Sequence, residues 1–259
     1  MRTELSKIVT EVGFLLLKWR ADGRFEGRWE GPHQFKAQVD LMAHEALTNR
    51  LSELAPDIPV ISEENPASWL NVRPERYWLI DPIDGTASFV RGYPGFVTQV
   101  ALMERGVPVL AVVWAPALSL LYVAERNKGV SLNDAKFLVK AGFPAEKLID
   151  NFPEPQGIVL SAFKELGFQK YIECGSISLK ICRVADGTAD LFFKTVTVKD
   201  WDVAAPHLII AEAGGYLSDI HGQAVSYSGV FEKAGLIAAS RENTFRTFLD
   251  WYSKMERKS

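Results

Sequence analysis

The sequence predicts a protein of mixed α+β and α/β class, built from two domains that span residues 1–133 and 134–259. In the first domain, strand-like runs rich in β-branched and aromatic residues follow one another, as in an antiparallel meander. In the second domain, helical and strand patterns alternate, which is typical of an α/β unit. The patterns weaken around residues 128–133, and the boundary is placed there.

The composition excludes several classes of protein. The chain has 259 residues, of which 47% are hydrophobic and 24% charged, and its net charge is −3. Acidic and basic residues are mixed along it, so we expect no nucleic-acid partner. The apolar run 12–17 is too short to cross a membrane, so we expect no membrane partner. Cys174 and Cys182 are expected as buried thiols, which fits a cytoplasmic protein.

Two helices are predicted at the start of the chain. Apolar residues at three- and four-residue spacing predict helices over 2–20 and 39–54. Asp40 falls in the first turn of the second helix, where an acid favours the helix dipole. The polar segment 21–38 between the helices predicts a loop or an irregular hairpin.

The remaining elements follow from the same patterns. In the first domain, strands are predicted at 59–62, 76–80, 96–102, 107–114 and 120–125. In the second domain, strands are predicted at 189–193 and 235–240, and helices at 135–142, 157–166, 178–185, 201–213 and 241–256. The first two strands each end at an acid, Glu63 and Asp81.

Four acids stand at the end of a predicted strand or the start of a predicted helix, where a fold can bring side chains to one point. They are Glu63, Asp81, Asp84 and Asp202. Four neighbouring carboxylates cannot all stay ionised unless divalent cations lie between them. Because neither histidine nor cysteine accompanies the acids, Mg²⁺ is favoured over zinc. The turn from Asp81 to Thr86 also reads as a plain capped turn, and by itself it leaves both interpretations open.

Two longer motifs carry a family resemblance. Trp78–Arg91, WLIDPIDGTASFVR, and Trp201–Gly215, WDVAAPHLIIAEAGG, resemble the paired signatures of the inositol monophosphatase superfamily of Mg²⁺-dependent, lithium-sensitive phosphatases. The acidic pair in Ile61-Ser62-Glu63-Glu64 and the position of Asp40 also match the family. The resemblance covers nearly the whole chain and implies a layered αβαβα sandwich that hydrolyses a small phosphate ester. Many relatives are homodimers, so a homodimer is possible here.

The resemblance also implies a metal site with two or three Mg²⁺ ions. Glu63, Asp81 and the backbone carbonyl of Ile83 would hold the first ion. Asp81, Asp84 and Asp202 would hold the second, and a looser third ion would lie near Glu63.

The resemblance also implies catalytic roles for three residues in and beside this metal site. The resemblance implies that Thr86, paired with Asp40, and Glu63 orient the attacking water and help to remove its proton. The N–H groups of Gly85 and Thr86 would hold the phosphate. The alternative is that Asp40 and Thr86 are only helix caps.

Within the superfamily, the middle of the chain resembles the bacterial 3′(2′),5′-bisphosphate nucleotidases. The residues that carry this likeness include the motif Ser62-Glu63-Glu64-Asn65, Arg73 with Arg76-Tyr77-Trp78 after it, and the segment Gly175-Ser176-Ile177-Ser178-Leu179-Lys180. The likeness implies substrate contacts from Gly175, Ser176, Ser178 and Lys180, with the lysine offsetting a second phosphate. A solvent-exposed lysine is the alternative.

The predicted reaction is therefore hydrolysis of the 3′-phosphate of adenosine 3′,5′-bisphosphate to AMP. Ala87-Ser88-Phe89 is closer to the inositol monophosphatases than to the nucleotidases. An inositol or sugar phosphatase is accordingly the alternative. A non-catalytic regulator that binds a phosphorylated metabolite is a further alternative, although the full set of acids argues against it.

Overall fold

The computed structural model describes residues 1–23, 27–29, 35–70, 72–139 and 145–257. Helices lie at both ends of the chain and between its sheets. They are α1 (Arg2–Ala21), α2 (Gln38–Leu54), α3 (Thr86–Val90), α4 (Gly157–Glu165), α5 (Ile177–Ala185), α6 (Asp200–Ala213) and α7 (Glu242–Glu256). The predicted helices at 2–20, 39–54, 157–166, 178–185, 201–213 and 241–256 are confirmed.

The segment between α1 and α2 contains a short antiparallel pair of strands. Strand β1 (Gly27–Trp29) pairs with β2 (Phe35–Ala37). The expected hairpin is therefore present, while the rest of the predicted loop, 24–26 and 30–34, lies outside the described residues.

A seven-stranded sheet forms the first half of the molecule. Its strands are β3 (Val60–Ser62), β4 (Arg76–Asp84), β5 (Val97–Glu104), β6 (Val107–Ala115), β7 (Leu120–Glu125), β8 (Gly129–Leu132) and β9 (Ala135–Phe137). They lie side by side in chain order. Every neighbouring pair is antiparallel except β3 and β4, which are parallel. The predicted meander is therefore confirmed.

The helix predicted over 135–142 is wrong in its first part, because Ala135–Phe137 form strand β9 of this sheet. A strand of three residues is too short to show its two-residue period in the sequence. Residues 140–144 lie outside the described part of the chain. The sheet therefore continues past residue 133, and the division into domains at that position stays a prediction.

A five-stranded sheet forms the second half, with the order β11-β10-β12-β16-β14. Its strands are β10 (Lys147–Asp150), β11 (Lys170–Glu173), β12 (Leu191–Lys194), β14 (Tyr216–Ser218) and β16 (Leu236–Ala239). The pairs of β10 are parallel and those of β16 antiparallel, so the sheet is mixed. A separate short pair joins β13 (Val198–Lys199) to β15 (Glu232–Lys233) beside α6.

Three apolar clusters show how these elements are layered. The first packs α1 and α2 on one face of the seven-stranded sheet, around residues such as Leu5, Leu47 and Trp78. The second packs α5 and α6 between the two sheets, and the third packs α4 and α7 on the outer face of the five-stranded sheet. The order is helices, sheet, helices, sheet, helices. The predicted αβαβα sandwich is confirmed.

Two further expectations concern the whole chain. Cys174 and Cys182 are both free and buried, as predicted. Among the described residues, none of the helices combines the length and the apolar character needed to cross a bilayer.

Candidate active site

Strand β4 places two acids in a buried position beside the middle layer of helices. The register of β4 on β5 shifts between Asp81 and Asp84, and Pro82 lies within this part of the strand. Proline has no N–H to donate to a strand ladder, which accounts for a break at this point. The side chains of Asp81 and Asp84 are 1% and 8% exposed. The irregular end of β4 therefore buries two carboxylates.

Helix α6 brings a third acid to the same point. Asp81, Asp84 and Asp202 each offer a carboxylate oxygen, and these oxygens all lie within 4.8 Å of one another. Asp202 is fixed in the first turn of α6, where its Oδ2 accepts a hydrogen bond of 2.8 Å from the backbone N–H of Lys199. The three acids come from both halves of the molecule, so the site forms only when the halves are packed together.

Glu63 lies beside this group. Because β3 and β4 are parallel, their carboxyl ends meet at one edge of the sheet, and Glu63 follows β3 directly. The backbone N–H of Glu63 donates to the carbonyl of Ile80 at 3.4 Å. The structure therefore places all four predicted acids in one neighbourhood, with Glu63 at the margin of the tighter group of three.

Electrostatic repulsion is strong within this group. Burial raises the pKa of Asp81 well above its usual range, and repulsion from Glu63, Asp84 and Asp202 raises it further. Burial, followed by repulsion from Asp202, likewise raises the pKa of Glu63. The pKa of Asp202 rises to about 8, again mainly through burial and then through repulsion from Asp84. A bound divalent cation would remove this repulsion and favour the ionised carboxylates.

The donor set fits Mg²⁺. Its members are carboxylate oxygens that converge from several directions, and hard oxygen ligands are what Mg²⁺ prefers. The carbonyl oxygen of Ile83, the predicted backbone ligand, accepts a hydrogen bond of 3.1 Å from Thr86 Oγ1. A carbonyl oxygen has two lone pairs, so a hydrogen bond to one of them does not prevent the other from binding a cation.

Thr86 and Asp40 lie in contact at the start of their helices. Thr86 Oγ1 donates a hydrogen bond of 3.1 Å to Asp40 Oδ1, and Asp40 is 3% exposed in the first turn of α2. Repulsion from Asp40 also raises the pKa of Glu63, so Asp40 lies near the acidic group. The structure therefore joins α2 to the end of β4 through this pair.

Gly85 makes the turn between β4 and α3. Its φ of +90° lies in the left-handed region that glycine adopts without strain. A Cβ at this position would lie 3.2 Å from the carbonyl oxygen of Gly95. This turn leads directly from the last acid of β4 to the hydroxyl of Thr86.

The start of α5 is hydrogen-bonded to Asp84. Ser176 Oγ and the backbone N–H of Ser178 donate to Asp84 Oδ2 at 2.6 Å and 2.7 Å. Ser176 Oγ also accepts from the N–H of Leu179 and so caps the helix. Both serine side chains are buried against these partners. Their predicted contact with substrate stays a prediction.

Lys180 is fully buried on α5, so the alternative of a solvent-exposed lysine is wrong. Its ammonium group donates to the carbonyl oxygens of Cys174 and Gly175 at 3.1 Å and 3.3 Å, and to Asn151 Oδ1. Burial lowers its pKa to about 8. These bonds hold the chain just before α5 in place, and a contact between Lys180 and substrate stays a prediction.

Gly175 lies where two backbone segments cross. A Cβ here would lie 2.0 Å from Ser88 Oγ and 2.7 Å from the carbonyl oxygen of Gly95. Only glycine allows so close an approach. The crossing connects the segment after Thr86 to the start of α5.

The chain matches known proteins over almost its whole length. The model of the inositol monophosphatase family matches residues 4–251. The chain belongs to the inositol monophosphatase family. It is 36% identical over 203 residues to the 3′(2′),5′-bisphosphate nucleotidase CysQ of Shigella flexneri, a match that covers 73% of this chain and 78% of the relative.

Two other similar proteins widen this comparison. A SuhB protein of Neisseria meningitidis serogroup A, named a putative Nus factor, is 33% identical over 223 residues and 80% of each chain. The structure of an inositol monophosphatase from Thermotoga maritima has a TM-score of 0.78 at 25% identity and covers 96% of each chain. The resemblance stated from the two sequence signatures is therefore confirmed, and the chain is a phosphatase of this family.

Gln99 is a buried residue near the acids that the sequence patterns did not predict. Its Nε2 donates to Ser178 Oγ at 2.6 Å and to the carbonyl oxygen of Trp201 at 2.9 Å. Ser178 Oγ in turn donates to the carbonyl oxygen of Asp202 at 2.8 Å. This chain of bonds ties β5 and α5 to the first turn of α6. A glutamine in the middle of a largely apolar strand is the signal that could have revealed it.

Proposed function

We propose that this protein is a Mg²⁺-dependent phosphomonoesterase that removes the 3′-phosphate of adenosine 3′,5′-bisphosphate and leaves AMP. The observation that carries the proposal is the convergence of Asp81, Asp84 and Asp202 within 4.8 Å, beside the hydrogen-bonded pair of Thr86 and Asp40. The acids would hold the metal, and the pair would act on the attacking water.

Asp81, Asp84 and Asp202 would hold Mg²⁺ together with Glu63 and the carbonyl oxygen of Ile83. When bound, the metal would lower the pKa of a water molecule and place positive charge near the phosphate and the leaving oxygen. Three of these ligands, Asp81, the carbonyl of Ile83 and Asp84, come from the last four residues of β4. The remaining two follow β3 and open α6, so small movements between the elements would change the affinity for the metal.

Thr86 would hold and orient the attacking water. A hydroxyl has one proton to donate and two lone pairs with which to accept. Thr86 Oγ1 has two acceptors at 3.1 Å, the Asp40 carboxylate and the Ile83 carbonyl, and an ionised carboxylate is the stronger acceptor. With its proton directed to Asp40, Thr86 Oγ1 would accept a hydrogen bond from the water and fix its orientation. Glu63 would assist in removing the proton.

The bisphosphate substrate is supported by the likeness to CysQ of Shigella flexneri, a relative named as a 3′(2′),5′-bisphosphate nucleotidase. The motifs 62–65 and 175–180 carry the same likeness. The backbone N–H groups of Gly85 and Thr86 would contact the phosphate that is removed. The opposite side of the substrate site would be formed by the segment at the start of α5, with Gly175, Ser176, Ser178 and Lys180. These residues would either contact the substrate or hold Asp84 in position.

The test is phosphate release in the presence of Mg²⁺ with adenosine 3′,5′-bisphosphate, 3′-AMP, inositol 1-phosphate and fructose 1,6-bisphosphate. We expect the bisphosphate nucleotide to give the highest kcat/KM, with 5′-AMP as the product identified by ³¹P NMR. Faster turnover of 3′-AMP than of the bisphosphate would contradict recognition of a second phosphate. Equal rates with and without Mg²⁺ would contradict the metal mechanism.

An inositol or sugar phosphatase is the second candidate. Ala87-Ser88-Phe89, which follows Thr86, resembles the inositol monophosphatases, and the inositol monophosphatase from Thermotoga maritima shares the fold over 96% of each chain. A higher kcat/KM for inositol 1-phosphate or fructose 1,6-bisphosphate would favour this candidate over the nucleotidase.

A non-catalytic regulator is the third candidate, although the full set of acids argues against it. It predicts binding of a phosphorylated metabolite without release of phosphate from any ester in the panel.

A further inference from the structure

A buried ion cluster lies at the start of α6, in the same helical turn as Asp202. The carboxylate of Asp200 is fully buried and contacts Arg73 Nη1 and, at 2.7 Å, Lys233 Nζ. The two cationic side chains are themselves only 6% and 13% exposed. One buried carboxylate therefore pairs with two buried cations, and among the described residues removing its charge would leave both without an ion-pair partner.

Arg73 reaches this cluster from the other half of the molecule. It precedes β4, the strand that carries Asp81 and Asp84, whereas Asp200 opens α6. Its Nη2 donates to the carbonyl oxygen of Gly229 at 3.1 Å, and its guanidinium lies 3.9 Å from the centre of the Phe231 ring. The guanidinium thus links the segment before β4 to the chain around α6.

The same cluster is connected to the carboxylate of Asp202. Lys233 lies on β15, which pairs with β13, and Lys199 of β13 donates its backbone N–H to Asp202 Oδ2 at 2.8 Å. The backbone N–H of Asp200 donates to the carbonyl oxygen of Phe231 at 3.0 Å. A shift of Asp200 or of β15 would therefore move the carboxylate of Asp202.

We propose that Arg73 and Lys233, acting through Asp200, are positioning residues that hold Asp202 at the distance from Asp81 and Asp84 that a divalent cation requires. The inference rests on the proposed metal site. Asp81 and Asp84 come from one half of the molecule and Asp202 from the other. Arg73 joins the two halves at Asp200, two residues before Asp202. The cluster therefore sets the affinity for metal, in addition to stabilising the fold.

A cluster that only stabilises the fold would behave differently, and Asp186 provides the matched control. Its carboxylate is 7% exposed, pairs with Arg183 at 2.9 Å and accepts a hydrogen bond from Tyr122 at 2.6 Å. It lies beyond the opposite end of α5 from the serines that bind Asp84. Asp186→Asn removes a buried, paired charge of the same kind, at a position that is not linked to Asp202 by the contacts described above.

The experiment compares the wild-type protein with Asp200→Asn and Asp186→Asn. Binding of Mg²⁺ is measured by calorimetry, and binding of Mn²⁺ by electron paramagnetic resonance, without substrate and at a temperature where circular dichroism shows each protein folded. We expect both variants to melt at a lower temperature. We expect only Asp200→Asn to raise the dissociation constant for metal, by about 10-fold to 100-fold, the range typical of residues that orient metal ligands.

Equal dissociation constants for Asp200→Asn and the wild type would overturn the proposal, whatever the change in melting temperature. If Asp200→Asn fails to fold, Lys233→Gln replaces it, since this variant keeps the pair of Arg73 and Asp200. The same rise in the dissociation constant, smaller in size, is then expected, and an unchanged constant would again overturn the proposal.

Phosphate release separates this inference from the proposed function. With an active wild type, the lower rate of Asp200→Asn should recover at saturating Mg²⁺, while KM for the ester stays unchanged. If the wild type binds Mg²⁺ but hydrolyses no ester, the proposed function fails and the metal affinities still decide the role of Asp200. If the wild type binds no divalent cation, both fail.

Discussion

The hydroxyl of Thr86 donates a hydrogen bond of 3.1 Å to Oδ1 of Asp40, and this bond joins the first turns of α3 and α2. The two residues are 46 positions apart in the chain, and their bond lies at the edge of the acidic group of Asp81, Asp84 and Asp202. A pair of helix caps would need no such neighbours. The position of this pair next to the acids is therefore the reason to assign it a role in the reaction.

Thr86→Ala is expected to lower kcat by about 100-fold, the low end of the range for groups that position or move a proton in the transition state. The alanine removes the hydroxyl that bonds Asp40 but leaves the acids that would hold the metal. KM and the dissociation constant for Mg²⁺ should therefore change little. The measurement is steady-state phosphate release at saturating Mg²⁺, with calorimetry for the metal.

Thr86→Ser is the control for this variant, because it keeps the hydroxyl and should retain most of the activity. Asp40→Asn should lower kcat to a similar extent. The double variant Thr86→Ala with Asp40→Asn should be no worse than either alone, since residues that act as a unit are not additive. Additive losses would show that the two side chains act independently.

Asp84→Asn is expected to abolish the stabilisation that Mg²⁺ gives the protein and to lower turnover by at least about 100-fold, since a metal contributes several kcal/mol to catalysis. Without metal, the variant should melt at the same temperature as the wild type or higher. Removing this charge relieves the repulsion that Asp84 exerts on Asp81 and Glu63. Calorimetric melting with and without Mg²⁺ measures both effects.

Ser176→Ala provides the comparison for Asp84. It removes the bond of 2.6 Å to Asp84 Oδ2 and the cap on α5, but leaves every carboxylate in place. We expect a loss of about 1 kcal/mol in the free energy of unfolding, as for other helix caps, and retained stabilisation by Mg²⁺. An Asp84→Asn protein that Mg²⁺ still stabilises as strongly as the wild type would remove Asp84 from the metal site.

Gly175→Ala should destabilise the protein by about 1–3 kcal/mol, the range for an added methyl group in a packed region. Its Cβ would lie 2.0 Å from Ser88 Oγ and 2.7 Å from the carbonyl oxygen of Gly95. Adding Ser88→Ala should restore part of the loss, because it removes the first contact and leaves the second. Denaturant unfolding of the wild type, Gly175→Ala and the double variant measures this. If the double variant recovers no stability, the contact with Ser88 Oγ is not the source of the strain.

The sequence was sufficient for most of the fold because the long elements carry clear periods. The apolar stripes of α1 and α2 and the β-branched runs of β5 to β7 each repeat over many residues. Short elements such as β9 and β13 span three and two residues, so no period can form in them. The order of the layers came from the family resemblance, because periodicity within an element says nothing about which faces meet.

For the candidate site, the sequence predicted local features better than long-range ones. The acids of β4 could be predicted because the turn from Asp81 to Thr86 contains them in six consecutive residues. The partners of Asp84 on α5 and the pair of Arg73 with Asp200 could not, since they join segments that only the tertiary fold brings together. For Lys180 the sequence left an exposed and a functional interpretation open. Neither described its burial against backbone carbonyls.

Lys180 gives a prediction for alkaline pH. Burial lowers its pKa from 10.5 to about 8, so between these values the unfolded chain binds a proton that the folded protein has released. Stability rises with pH wherever the unfolded state binds more protons. The free energy of unfolding of the wild type should therefore rise, relative to that of Lys180→Met, by about 3 kcal/mol between pH 8 and pH 10.5.

Urea unfolding of both proteins across this pH interval measures the difference in their free energies of unfolding. Contributions from other groups that titrate in the interval are common to both proteins and cancel in this difference. Lys254→Met is the matched control, because it removes an exposed lysine in the last turn of α7. A constant difference between wild type and Lys180→Met would show that the Lys180 ammonium keeps its proton in the folded protein throughout. The hydrogen bonds to the Cys174 and Gly175 carbonyls would then outweigh the cost of burying the charge.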